Sequence, residues 1–302
     1  MRDDIDAFDA AHPGRDLDVR GVRLHYLDEG KGRPVVMVHG NPSWSYYYRR
    51  LAEALSAEYR VVVPDHVGCG RSEKPDDSRY EYKLSRRIDD LGALLDSLGL
   101  VDDITLVVHD WGGMIGMGYA TRYPGRIARL VVLNTSAFRI PAGKAMPPEL
   151  RAARLPLVGA ALVRGLNLFC KGAARRGVTR RPMSPAVRDA YLAPYGCWAD
   201  RIAVHRFVQD IPLRPGDRSY EEVLKIEGRL PTLSDVPMLV CWGMKDFVFD
   251  HHFLDEWARR FPNADVRRFE EAGHYVLEDE ADRIVPLVKA FLAAVPAPSP
   301  SR

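Results

Sequence analysis

Residues 104–113 read ITLVVHDWGG, and residues 113–123 continue as GMIGMGYATRY. The first five residues are apolar or β-branched without alternation, which is the pattern of a strand buried on both faces. The glycines that follow open a helical stretch. A buried strand that turns sharply into a helix matches the nucleophile elbow, G-x-S-x-G, here with Asp110 where serine usually stands. Gly112 supplies the small residue that the crowded turn needs two places after Asp110. Val108, two places before it, is larger than the usual glycine. A carboxylate at this point is ionised at neutral pH, attacks carbon without help from a base, and leaves as an aspartyl ester. The plainer alternative is an Asp that caps the helix N-terminus. The whole His-Asp-Trp-Gly-Gly context argues against it.

Outward from the elbow, strand and helix patterns alternate. Residues 34–38 (PVVMV) and 60–64 (RVVVP) read as buried strands, as do 127–133, 236–242 and 264–269, while 22–27 reads as an edge strand. Residues 45–57, 82–98, 253–260 and 281–294 have helical patterns. In the second, Leu84, Ile88, Leu91, Leu94, Leu95 and Leu98 share one face. Alternation of this kind predicts an α/β fold with a mostly parallel, doubly wound sheet. It breaks between 137 and 233, where several helical patterns and many prolines occur without a buried-strand run. The expected organisation is a core in two parts, 20–136 and 234–296, with a helical cap, 137–233, inserted between them. The terminal PAPSPSR reads as a frayed tail.

Three further segments fit the elbow. His39-Gly40-Asn41-Pro42 follows the strand PVVMV, where this architecture places one oxyanion-hole N–H, here that of Asn41; the second belongs to Trp111, next after Asp110. The side-chain donors of Asn41 and Trp111 can converge on a leaving anion as well. His274, in Gly-His-Tyr after the last strand, stands where the catalytic imidazole belongs. Asp246, in WGMKD, is the expected partner that orients it, with Asp250 as runner-up. The other placement for that acid, after strand 127–133, holds Asn134, and no Asp or Glu follows before Glu149. Gly112, Gly113, Gly116 and Gly118 lack the GK[ST] of a phosphate loop and read as helix packing. Asp65 and His66 are adjacent, face apart on extended backbone, and read as structural. Neither a metal nor an organic cofactor is expected.

The chain has 302 residues, 46% of them hydrophobic, enough for one large core and a lid. Lys+Arg 43 against Asp+Glu 41 leaves a net charge of +2, which argues against a nucleic-acid partner. The charge is unevenly spread: between 139 and 181 ten Lys/Arg face one acid, Glu149. This stretch reads as a solvated lid surface or as a docking face for an acidic partner or anionic membrane. Four cysteines without a CxxC pair predict free thiols in a reducing compartment. The acidic N-terminus has no apolar signal core, and no run approaches the ~20 residues of a membrane span. A cytoplasmic protein, not integral to a membrane, is expected.

HGNPSW, VVPDHVGCGRSEKP, VVHDWGGMIG, WGMKD and AGHYVLED together resemble the haloalkane dehalogenase branch of the α/β-hydrolase fold, with epoxide hydrolases as close cousins. LNTSAFRIPAGKAMPPEL, VRDAYLAPYGCWADRIAVHRFVQDIPL and FDHHFL resemble the β-lactone decarboxylases of bacterial olefin biosynthesis, over about residues 22–292. That resemblance implies a hydrophobic substrate, a long-chain cis-3,4-dialkyl-oxetan-2-one, converted to a cis-alkene and CO2 through an adduct on Asp110. It also implies assembly with other enzymes of the olefin pathway. The apolar stretch 155–169 then either lines an alkyl channel or packs the lid. Two alternatives stay open. In a haloalkane dehalogenase, Asn41 and Trp111 would cradle the halide and His274 would activate water. In an epoxide hydrolase, cap tyrosines would donate to the epoxide oxygen, with Tyr191 and Tyr195 as candidates.

Overall fold

The computed structural model describes residues 3–294. Eight strands form one sheet: β1 (Arg15–Asp18), β2 (Arg23–Glu29), β3 (Pro34–Val38), β4 (Arg60–Pro64), β5 (Ile104–Asp110), β6 (Ile127–Thr135), β7 (Met238–Gly243) and β8 (Asp265–Phe269). Their spatial order is β1-β2-β4-β3-β5-β6-β7-β8. β1–β2 and β2–β4 pair antiparallel, and every later pair is parallel. β5 lies at the centre and all seven of its residues are buried, as its unbroken apolar run requires.

Successive side chains of each strand enter opposite layers. Leu106 and Val108 join one core cluster with Leu84, Ile88 and Ile115. Val107 joins the other, with Leu51, Leu55, Ile284 and Val288. The helices Leu84–Ser97 and Trp111–Arg122 therefore cover one face, and Arg49–Leu55 and Val276–Ala294 the other. This is the doubly wound sheet expected from the alternation.

The expectation of an edge strand at 22–27 needs correction, because β1 pairs outside β2. β1 has the sequence RDLD and is almost wholly exposed, so it carries no hydrophobic signal. Ahead of it, the helix Asp3–Ala11 sets Phe8 edge-on against Trp44, with ring centroids 5.6 Å apart. The terminal PAPSPSR lies outside the described residues.

From 137 to 233 the chain is helical and holds no strand. Ala153, Val163, Cys170, Tyr195, Val204 and Val208 form a small core of their own. The last helix of this stretch, Tyr220–Arg229, packs differently. Its Val223 and Ile226 enter the main core, and Glu222 takes a 2.5 Å hydrogen bond from Arg122 at the end of the helix Trp111–Arg122.

Candidate active site

The strand-to-helix turn places Asp110 at φ 51°, ψ −126°, a strained backbone for a residue with a side chain. The turn is held from three sides. Thr135 Oγ1 donates to the Asp110 carbonyl. A Cβ on Gly112 would stand 1.9 Å from the Val38 carbonyl oxygen, so only glycine lets the helix start this close to β3. A Cβ on Gly40 would stand 2.2 Å from Asp110 Oδ1, so glycine there admits the HGNP loop to the carboxylate.

That loop brings the backbone N–H of Asn41 to Asp110 Oδ1 at 2.6 Å, and the Trp111 backbone N–H also donates to this carboxylate. The Asn41 side-chain amide donates to the Val204 carbonyl, on the helix Ile202–Gln209, at 3.2 Å. Among the described residues nothing accepts a hydrogen bond from the Trp111 indole N–H, and Trp111 lines the cavity described below.

His274 Nε2 stands 3.7 Å from Asp110 Oδ2, and its Nδ1 is 2.8 Å from Asp246 Oδ2. The Asp246 carboxylate also accepts from Val248 N at 2.7 Å and from Asn134 Nδ2 at 3.0 Å. All five sequence-predicted residues, Asp110, His274, Asp246, Asn41 and Trp111, thus meet at one point. Asp250 does not join them. It caps the helix His251–Arg260 and pairs with Lys144 at 2.9 Å.

Burial raises the Asp110 carboxyl above the usual aspartate range, opposed by the charge of His274 and the N–H groups of Asn41 and Trp111. At His274 burial works against the charged ring, but the Asp246 and Asp110 carboxylates outweigh it and hold its pKa above the ordinary histidine value. His39, His66 and His109 nearby are shifted down, first by burial. They act as braces: His66 N donates to His39 Nε2 at 3.0 Å, and His109 Nε2 lies 2.9 Å from the His274 carbonyl oxygen. The Asp65 carboxylate accepts from Ser45 N and Arg71 N, the structural role expected for that loop.

Above Asp110 lies a cavity of about 440 Å³ with mostly apolar walls, including Met114, Phe138, Leu162, Val163, Phe169 and Phe249. Part of the stretch 155–169 therefore lines it, while Leu155, Leu157, Val158 and Leu166 are exposed instead. Neither cap tyrosine reaches the cavity. The Tyr191 hydroxyl meets Glu278 Oε1 at 2.6 Å and that of Tyr195 meets the Ser43 carbonyl at 3.3 Å, so neither serves the expected epoxide contact.

The second layer of the site escaped the sequence. Asn134 donates to Asp246, and at the same time its amide joins Gly243 N and O at 2.7 and 3.0 Å. Its position at the end of β6 was the one available signal. No local pattern pointed to Val204.

The α/β hydrolase fold family model matches residues 33–159 and 184–281. The cis-3-alkyl-4-alkyloxetan-2-one decarboxylase of Shewanella oneidensis is 57% identical over 91% of this chain and 87% of its own length. That of Xanthomonas campestris is 48% identical over 93% and 96%. The chain belongs to the β-lactone decarboxylase family of the α/β-hydrolase fold. Haloalkane dehalogenase 2 of Mycobacterium bovis is a more distant relative, 34% identical over 87% of this chain and 88% of its own. Among solved structures, the haloalkane dehalogenase DatA of Agrobacterium tumefaciens superposes with a TM-score of 0.83 at 25% identity, covering 94% of this chain and 97% of its own. Over nearly the whole chain, identity to the decarboxylases is higher than to the dehalogenases.

Proposed function

We propose that this chain decarboxylates long-chain cis-3,4-dialkyl-oxetan-2-ones to cis-alkenes in olefin biosynthesis, with Asp110 as nucleophile. One observation carries the reading: Asp110, which lines a mostly apolar cavity, has its Oδ1 held by the Asn41 N–H and its Oδ2 near His274, with the Trp111 N–H also on the carboxylate. A strained lactone with two alkyl chains suits that space, and the chain resembles enzymes named for this reaction.

Asp110 attacks the ring carbon that bears the ring oxygen. Its electron pair makes the new C–O bond, and the ring C–O pair leaves with the oxygen as a free carboxylate, inverting the carbon. The bond to that carboxylate then breaks. Its pair becomes the C=C bond, CO2 departs, and the Asp110 carboxylate leaves anti. Inversion followed by anti elimination keeps the two chains cis and regenerates Asp110 without water. His274, oriented by Asp246 and biased toward its charged form, donates toward the ring oxygen as the ring opens instead of activating water. The stretch 137–233, less the helix Tyr220–Arg229, serves as the cap.

The same reading keeps a reducing, cytoplasmic setting, supported by four free cysteines. It also keeps assembly with other olefin-pathway enzymes, since a dialkyl lactone is poorly soluble in water. Haloalkane dehalogenation is the second reading, favoured by the unengaged Trp111 indole and the mycobacterial relative. Incubation with a cis-dialkyl β-lactone and, separately, with a bromoalkane decides between them. Alkene without bromide is expected; fast bromide release without alkene sinks the decarboxylase reading. Turnover in ¹⁸O water should leave Asp110 unlabelled, whereas hydrolysis of its ester would label it.

A further inference from the structure

The outer face of the cap is apolar where a solvated helix is normally polar. Leu155, Leu157, Val158, Leu166 and Leu168 are between 48 and 86% exposed. In the helical stretch from Pro156 to Gly165, Gly159 and Val163 turn inward, while Leu157, Ala161 and Gly165, four apart, stand outside. Trp198, 49% exposed, borders this face at Gly165, with the Arg164 guanidinium 4.6 Å from its ring centre.

Cations flank the leucines along the chain, and Lys171 Nζ reaches the Leu166 carbonyl at 3.3 Å. Arg151, Lys171 and Arg175 are exposed and make no ion pair among the described residues. The one acid between 139 and 181, Glu149, is held by Arg176. Two copies of such a face would bring cations against cations, which disfavours self-association through it. Exposed leucines with an aromatic rim and unpaired cations are the chemistry of a helix lying in an anionic lipid interface. Among the described residues no single helix is long and apolar enough to cross a bilayer. The two segments Pro156–Gly165 and Leu168–Arg176 meet at a bend of 67°. Leu168 links this surface to the chemistry, because it is half exposed and also lines the cavity over Asp110.

We infer that this cap face docks reversibly on an anionic lipid bilayer and draws an apolar substrate from it. The substrate delivery rests on the decarboxylase reading, but the docking does not. The test is co-sedimentation of the full chain with vesicles of phosphatidylcholine alone and of phosphatidylcholine mixed with phosphatidylglycerol. Binding to the mixed vesicles, weakening as salt rises, is expected. The double variant Leu157→Asp/Leu166→Asp should bind about tenfold or more weakly, while keeping the wild-type melting temperature and turnover of a detergent-dispersed lactone. Arg151→Glu/Arg175→Glu should abolish the preference for anionic vesicles. Absence of vesicle binding by the unmodified chain overturns the inference, as does equal binding by the leucine variant. So does a dimer, or a complex with an added acidic protein, that the leucine variant breaks while vesicles are ignored. Vesicle binding is read without lactone, so a protein inert to vesicles that still makes alkene overturns the docking alone.

Discussion

In the proposed reaction, Asp110 and His274 divide the chemistry by their surroundings. The Asp110 carboxylate carries its charge into a buried site with two N–H donors on it, while His274 sits between two carboxylates. Asp110→Asn keeps the shape and loses the attacking charge. It should lower kcat on the order of 10⁴-fold while leaving the melting temperature close to wild type. His274→Ala separates the two routes. If His274 only polarises, the rate falls by about 10²–10⁴ and no adduct accumulates on Asp110. If it activates water, intact mass spectrometry will find the alkyl ester building up. The pH profile gives a second view. Only ionised Asp110 attacks, and burial raises its pKa, so activity should be lost as pH falls through a value above the ordinary aspartate range. Activity that needs charged His274 should be lost as pH rises through its raised pKa. Asp246→Asn removes the largest influence raising that pKa, so this alkaline limb should move to lower pH. An unmoved limb would assign it to another group.

At the scale of elements, the elbow departs from its usual pattern at Val108, and the helix that follows absorbs the difference. A Cβ on Gly116 would come within 2.6 Å of Val108 Cγ1, so the missing side chain lies one helical turn beyond the elbow instead of before it. Gly116→Ala should cost about 1–3 kcal/mol, measured from the denaturation midpoint, and Val108→Ala in the same chain should recover most of that loss. Full additivity of the two costs would show that the residues do not share the space. The same contrast explains what was legible in sequence. PVVMV, RVVVP and ITLVV announce β3, β4 and β5 because strands buried on both faces must be continuously apolar. β1 is exposed and charged, held by its ladder with β2, and nothing local distinguishes it from a loop. Asp110, His274 and Asp246 were legible because each follows a strand at a fixed point of the topology. Asn134 was not, since its bonds to Asp246 and Gly243 join positions more than a hundred residues apart. The reach of Asn41 to the Val204 carbonyl depends on how the cap closes, which no local pattern encodes.

For the molecule as a whole, the sheet positions the proposed reacting groups, and the helical stretch 137–233 supplies part of the cavity walls. Asp110 and Trp111 enter the cavity from the elbow, while Leu162, Val163, Phe169 and Ala173 enter from above. Chemistry and chain-length selection should therefore separate by mutation. Ala173 lies on the helix Leu168–Arg176 and lines the cavity without touching the hydrogen-bond network of His274. Ala173→Phe fills part of that space with a rigid ring. Each methylene of substrate then excluded from apolar surroundings loses about 0.8 kcal/mol, roughly fourfold in kcat/KM. Against a series of cis-dialkyl β-lactones of increasing length, the variant should match wild type for the shortest members and fall progressively behind for the longer ones. If the cavity were merely a packing defect, or if the chains left it along another path, the loss would be the same at every length. A loss that grows with chain length would identify the space between cap and sheet as the place where the alkyl chains lie during the reaction.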